Sequence, residues 1–499
     1  MTRHITHWID GKPWTGSSDR AGEVFDPATG RATGTVDFAD GAVVDQAVRA
    51  AAQAAATWRT TSVARRTQVL FGFRQRLAER LSEVAALVSA EHGKVLADAE
   101  GEVRRGLEIV ELACGIGQLT KGELSEEVSR GIDTFSIRQP LGVVAGITPF
   151  NFPAMVPLWM FPLAVACGNA FVLKPSEKDP SASLLLAELF ADAGLPDGVF
   201  SVVHGDAVAV DALLAHPTVQ AVSFVGSTAV ARHVYETATA SGKRVQALGG
   251  AKNHLVVLPD ADLDRTADAC VSAGFGSAGE RCMAISVVVA VDPVGDALVE
   301  RIAERTGELR VGPATDPQAD MGPLITRAHR DRVAGYLDAA AADGATVAVD
   351  GRRHEIHGED SGFWLGPSLL DRVTPAMSAY RDEIFGPVLS VVRVESFEAA
   401  LALVNASPYG NGAAIFTDDG RAARRFQREV EAGMVGVNVP IPVPVAPFSF
   451  GGWKASLFGD LGMYGPDGVR FYTRAKVITA HWPEPTSGRG VELGFPTNS

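Results

Sequence analysis

The sequence predicts an α/β fold, with a parallel sheet covered by helices followed by a second α/β unit. Two patterns carry that expectation. Short apolar strands alternate with helices from residue 141 to 248, and a second α/β unit follows from about 249 to 450. Such alternation covers both faces of a sheet, as parallel sheets require. The length of 499 residues allows two or three units at roughly 100–200 residues each.

The elements follow in chain order. Residues 42–57, 62–99 and 100–118 are rich in Ala and Leu, with polar residues spaced to leave an apolar face, and predict helices. Residues 126–138 alternate apolar and polar, as a strand or hairpin does. The run 141–173 has no charged residue. Its length would admit a membrane span, but Pro149, Pro153, Pro157, Pro162 and Gly168 break it. A strand at 142–147, a loop, a core helix and a strand at 170–173 explain it better. Helices are expected at 180–193, 207–215 and 228–240, and strands at 200–203, 219–225 and 244–248. Further strands are expected near 285–291, 387–394, 412–416 and 434–438. Ligands of such sheets sit at the carboxyl ends of the strands.

Composition narrows the partners. The net charge of −14 argues against nucleic acid and anionic membranes, which attract basic faces. The N-terminus lacks the apolar core of a signal peptide. The cysteines, Cys114, Cys167, Cys270 and Cys282, form no C-x-x-C pair, and so few in a long chain suit a reducing, cytoplasmic setting. No metal site is expected: His354 and His357 are isolated, and His216 and His254 read as structural.

Several segments could carry chemistry. Gly274-Phe-Gly-Ser-Ala-Gly279 fits the dinucleotide glycine pattern letter for letter, but it follows a helical stretch rather than a strand. Its small residues fit a close approach of another segment better. Gly226-Ser-Thr228 follows an apolar strand and opens a helix. It suits either a phosphate or an ordinary N-cap. Lys174-Pro-Ser-Glu177 could bind ribose hydroxyls, though alone it reads better as a solvated loop. Cys282 follows Arg281, and a neighbouring cation favours a thiolate. A buried structural cysteine is the commoner case, and the other three are read that way.

Together these pieces resemble the aldehyde dehydrogenase superfamily. Pro149-Phe-Asn-Phe-Pro153, Lys174-Pro-Ser-Glu177, Phe224-Val-Gly-Ser-Thr228, Gly279-Glu-Arg-Cys282 and Glu383-Ile-Phe-Gly-Pro387 occur in family order across nearly the whole chain. Asn151–Phe161, Gly242–Gln246, Ala251–His254, Val437–Pro444, Phe448–Lys454 and Leu457–Asp460 are similar to the methylmalonate-semialdehyde dehydrogenases. That subfamily converts malonate or methylmalonate semialdehyde, NAD and coenzyme A to acetyl- or propionyl-CoA, with loss of carbon dioxide.

The resemblance implies a Rossmann-like NAD domain (1–123 and 141–248), a catalytic domain (249–465), and oligomerisation strands and tail (124–140 and 466–499). It implies a homotetramer. Cys282 resembles the nucleophile and Asn151 the oxyanion donor. Lys174 and Glu177 resemble the adenosine-ribose ligands. Phe150 and Ser227, with Thr148, Lys178 and Gly249, are further implied NAD contacts. Glu383 resembles the nicotinamide-ribose ligand, with Phe385 packed beside it. Arg105 and Arg281 are implied binders of a carboxylate on the substrate, since arginine pairs bidentately with carboxylates.

Two positions depart from the pattern. Hydrolytic members carry a glutamate that activates water where this chain has Leu248, which cannot accept a proton. The acylating subfamily usually has asparagine there. Glu280 stands where glutamine is usual. A carboxylate pointing at Cys282 would disfavour its thiolate, so Glu280 is expected to point away. Alternatives are a hydrolytic semialdehyde dehydrogenase giving a free acid, and a catalytically weak binding or structural relative.

Overall fold

A computed structural model describes residues 3–482. The first large sheet has a parallel centre. Across it lie Arg244–Leu248, Val219–Val225, Val143–Ile147, Ala170–Lys174 and Phe200–Val202. Leu457–Phe458 and Trp8–Ile9 add antiparallel edges. The first of these strands in the chain, Val143–Ile147, sits between the second and the fourth, so chain order reverses there. The connections on either side leave to opposite faces, opening a crevice at the strands' carboxyl ends. Met155–Ala166 packs in one apolar layer with the helices of residues 63–114. Thr228–Ala240 packs in the other with Gly41–Trp58 and Ala207–Ala215.

Met155–Ala166 is buried throughout and carries Pro162 inside it. It accounts for the charge-free run. No helix among the described residues is long and apolar enough to cross a membrane.

The second large sheet orders Thr346–Val349, Ser368–Asp371, Val388–Val394, Ile285–Val291, Asn253–Val257, Gly412–Phe416 and Met434–Val437. The first pairing is antiparallel and the rest are parallel. Three of its strands (Asn253–Val257, Thr346–Val349, Ser368–Asp371) were not expected from periodicity. The return of Leu457–Phe458 to the first sheet means that the segment 249–465 does not stay within one sheet. Leu124–Ser129, Ile132–Pro140 and Thr473–His481 form a separate antiparallel sheet. The tail 483–499 lies outside the described residues.

The long helix expected over 62–99 is three elements. Val63–Glu79 and Leu81–His92 meet at Arg80. The second ends at Gly93 (φ 92°), a left-handed cap, and Leu96 opens the next helix. Glycine in that conformation ends a helix at no steric cost.

Candidate active site

The parallel strands end in a row. Ile147 pairs with Lys174 and Val225 with Leu248. Beyond the strand ends, the Thr148 N–H donates to the Lys174 carbonyl at 3.1 Å, and Gly226 N–H to that of Leu248 at 3.1 Å. Thr148, Lys174, Gly226 and Gly249 therefore form one edge. Lys174 Nζ meets Glu177 Oε2 at 3.1 Å. Burial alone would raise the Glu177 carboxyl, but Lys174 outweighs it and holds it below its ordinary value.

Ser227 occupies the N-cap position of Thr228–Ala240, yet its hydroxyl caps no amide. The ordinary N-cap reading therefore loses its hydrogen bond, and the exposed Ser227 and the helix's first amides face the crevice. Thr228 Oγ1 instead accepts from Gly250 N–H at 2.9 Å. A Cβ on Gly250 would lie 2.3 Å from Glu383 Oε2, so only glycine lets that carboxylate close over the strand end.

Glu383 comes from the second unit. Its Oε1 accepts the Ala251 N–H at 2.9 Å, while Oε2 has no donor among the described residues. Burial pushes this carboxyl up to about 7, against the opposing Ala251 N–H and Lys252. Two residues on, Phe385 is held at φ 57°, a region costly for a bulky side chain. Its ring meets Phe150 edge-on, with centroids 5.8 Å apart. Phe150 also packs against His92, and Lys178 Nζ lies 4.9 Å over its face.

Cys282 stands on a loop that the second unit fixes by its backbone. After Leu263–Phe275, Ser277, Ala278 and Gly279 are successively left-handed. A Cβ on Gly279 would lie 2.2 Å from the Gly386 carbonyl oxygen. The glycine-rich run thus serves close approach, and helix Leu263–Phe275, not a strand, precedes it. Asn253 and Asn411 each donate through Nδ2 to the Cys282 carbonyl at 3.0 Å. All four cysteines are unpaired, and Cys282 alone is partly exposed. Its enclosed position pushes the thiol up to about 12; Glu383 adds to this and Arg281 opposes it. The resting group is therefore a thiol.

Asn151 is buried on the loop after Val143–Ile147. Its side-chain amide has no hydrogen-bond partner among the described residues, which leaves Nδ2 free to donate. Leu248 is 3% exposed within the apolar core. Glu280 turns away from the thiol, as expected, but into the interior. Its Oε1 accepts from Ile325 N–H at 3.3 Å and lies 3.4 Å from His329 Nε2, while Oε2 lies 3.6 Å from His92 Nε2. Burial pushes it up to about 8, which favours its neutral form.

The two arginines are not brought together. Arg105 pairs with Glu108 at 2.7 Å and donates to the Pro444 carbonyl at 3.3 Å. It lines a small cleft with Met155, Trp159, Val443 and Tyr464. Arg281 instead pairs with Asp98 at 2.5 Å and faces a separate cavity of about 520 Å³. A further cavity of about 990 Å³ lies between residues 86–100 and 313–319 and contains none of the expected site residues. Among the described residues no three His, Cys, Asp or Glu side chains are arranged to hold a metal.

Sequence reasoning missed Asn253, Asn411 and Tyr464, and the buried Lys94 and Glu102. All act through contacts distant in the chain.

A partly exposed free cysteine on a backbone-fixed loop, beside a parallel sheet with a switch-point crevice, suits an aldehyde-oxidising dehydrogenase. The sequence model of the aldehyde dehydrogenase family matches residues 14–478, and the chain belongs to that family. It is 56% identical over 494 residues to the malonate-semialdehyde dehydrogenase of Pseudomonas aeruginosa, covering 99% of each chain. It is 49% identical to malonate-semialdehyde dehydrogenase 2 of Geobacillus kaustophilus, covering 96% of this chain and 99% of that protein. Among solved structures, the methylmalonate-semialdehyde dehydrogenase of Oceanimonas doudoroffii superposes with a TM-score of 0.96 at 55% identity, covering 97% and 99% of the two chains. A Sinorhizobium meliloti protein complexed with NAD does so with a TM-score of 0.96 at 51% identity, covering 98% and 100%.

Proposed function

We propose that this chain oxidises malonate or methylmalonate semialdehyde with NAD, and passes the acyl group from Cys282 to coenzyme A with loss of carbon dioxide. The observation that carries this is Leu248. An intact thiol, oxyanion donor and ribose-binding edge surround a strand end where the water-activating carboxylate is replaced by a buried apolar side chain. The names of the relatives supply the substrate class.

The chain's own residues fit the cofactor. Lys174 and Glu177, paired at 3.1 Å, would bind the adenosine ribose. Ser227 leaves a helix N-terminus uncapped for phosphate. Glu383 offers an unpartnered Oε2 for a ribose hydroxyl. Thr148, Phe150, Lys178, Gly249 and Phe385 complete the lining. NAD, when bound, accepts the hydride.

The Cys282 proton passes to solvent water as its sulfur attacks the aldehyde carbon, giving a thiohemiacetal. The Asn151 amide and the Cys282 N–H bind the developing oxyanion; one such donor is typically worth ~10²–10³ in rate. Loss of hydride leaves a thioester. The bond from the acyl α-carbon to its carboxylate then breaks, releasing carbon dioxide, and the α-carbon takes a proton from water. With no base at Leu248, water is a poor acyl acceptor, so the thiol of coenzyme A attacks the thioester carbonyl and Cys282 leaves, regaining a proton. Arg105, on the cleft that Trp159 and Tyr464 also line, is the first candidate for the substrate carboxylate. Arg281 reaches it only by leaving Asp98. The separate strand sheet, with Leu124, Val128 and Val477 exposed, supports assembly into a homotetramer. The unpaired thiols support a reducing, cytoplasmic setting.

The test is NADH formation from each semialdehyde with and without coenzyme A. Sustained turnover only with coenzyme A is expected. Equal turnover without it would favour hydrolysis to a free acid, with Glu383, poised to titrate near 7, as the base.

A further inference from the structure

The loop bearing Asn151 is fastened from within by an ion pair that touches neither thiol nor cofactor edge. The side chains of Lys94 and Glu102 are both fully buried. Lys94 Nζ donates to Glu102 Oε2 at 2.8 Å and to the Asn151 carbonyl at 2.6 Å. It also stands 4.4 Å from the centre of the Phe152 ring, so every face of the ammonium has a partner. Glu102 Oε1 accepts the N–H groups of Ala154 at 2.8 Å and Met155 at 3.0 Å. Helix Met155–Ala166 has no side-chain cap of its own; Glu102 supplies one from another helix. The pair thus grips the loop on both sides of Pro153.

Lys94 is itself held in place. It follows the left-handed Gly93, whose carbonyl oxygen would be 2.1 Å from a Cβ on Gly322. The short strap that carries Lys94 is therefore wedged against the segment beginning at Gly322.

We infer that Lys94 and Glu102 are positioning residues for the oxyanion donor. They set the Asn151 amide through its backbone. That side chain has no hydrogen-bond partner of its own among the described residues, so its direction depends on the main chain that Lys94 and Glu102 hold. Stability alone does not require them. Desolvating two charges offsets most of their attraction, and apolar side chains of similar volume fill a core about as well. What an apolar pair cannot do is fix one carbonyl and two amides at set distances. The inference rests on the assignment of Asn151 as oxyanion donor.

The test uses Lys94→Met/Glu102→Leu and the milder, isosteric Glu102→Gln in the full-length enzyme, with folding followed by thermal melting. The first-turnover burst of NADH from malonate semialdehyde is measured without coenzyme A, so acyl transfer plays no part. A misplaced group about 1 Å from its productive position can cost about 10²-fold. The burst rate is expected to fall by about that factor in the double variant, and less in Glu102→Gln. The NAD dissociation constant and the rate of Cys282 alkylation by iodoacetamide should stay unchanged.

Combination with Asn151→Ala decides the route. The triple variant should burst no more slowly than Asn151→Ala alone, because residues acting through one group are not additive. Should the double variant not fold, Glu102→Gln and its combination with Asn151→Ala decide by the same criterion. Additive losses, an undiminished burst, or NAD affinity and alkylation falling in step with the burst would overturn the inference. An unimpaired burst in Asn151→Ala would instead remove the assignment on which it rests.

Discussion

The two ends of the crevice present a carboxylate in opposite electrostatic states. Glu177, at the first sheet's edge, is held ionised by Lys174 three residues away. Glu383, reaching across from the second unit, is desolvated more than Lys252 and Arg332 offset, and its carboxyl is raised to about 7. One end of the cofactor site is fixed in charge, while the other gains its charge as pH passes neutrality. The difference comes from origin. A lysine and a carboxylate on one short loop neutralise each other locally, whereas a side chain delivered across an interface is desolvated by whatever it meets there.

The largest expected effect breaks the comparison at the strand end between those carboxylates. Leu248→Glu restores a potential base, and general-base catalysis contributes typically ~10²–10⁴-fold. Turnover without coenzyme A should rise by about 10²-fold, read as free acid by chromatography. No gain would mean that the residue at 248 does not decide between water and thiol.

Next come the arginines. Arg105→Leu should raise KM for malonate semialdehyde by about 10²-fold or less, within the range for truncating one partner of a buried charge pair, and leave propanal unaffected. Arg281→Leu should have the smaller effect, because its guanidinium is held by Asp98 in a separate cavity. Equal effects on the neutral aldehyde would remove the carboxylate-binding role.

The pH dependence of NAD binding sharpens the contrast directly. Ionised Glu383 accepts ribose hydroxyls better than its protonated form, so affinity should rise as pH passes about 7. Glu383→Gln should abolish that rise; Glu177→Gln should weaken binding but keep it. Calorimetry from pH 6 to 8.5 reads both.

The smallest effect concerns stability. Glu280 has its carboxyl raised by burial from 4.5 to about 8. A raised carboxyl contributes stability below the unfolded value and loses it as pH rises through the folded one. Glu280→Gln should therefore be more stable than the parent at pH 9, and gain nothing near pH 4. Parallel melting curves at all pH values would place Glu280 in a more solvated setting than the structure gives it.

Much of this was legible in the sequence, for reasons that differ by region. The strand ends near Lys174, Gly226 and Gly249 could be read because local periodicity and turn residues fix them. Gly93, followed by a lysine, was a readable stop signal that the Ala- and Leu-rich pattern of 62–99 concealed. The pairing of Arg281 with Asp98 could not be read, since the two are 183 residues apart and adjacency to Cys282 suggested a different direction. Lys94 and Glu102 resemble ordinary surface charges on helical segments until tertiary packing encloses them.

The central claim is that the acyl group waits on Cys282 for a thiol. Intact-mass spectrometry after one turnover of malonate semialdehyde with NAD, without coenzyme A, tests it most directly. The account predicts an acyl adduct on Cys282 that persists after NADH has formed and is released as acyl-CoA on adding coenzyme A. An adduct lost to water as fast as NADH appears, or no adduct on Cys282 at all, would contradict it.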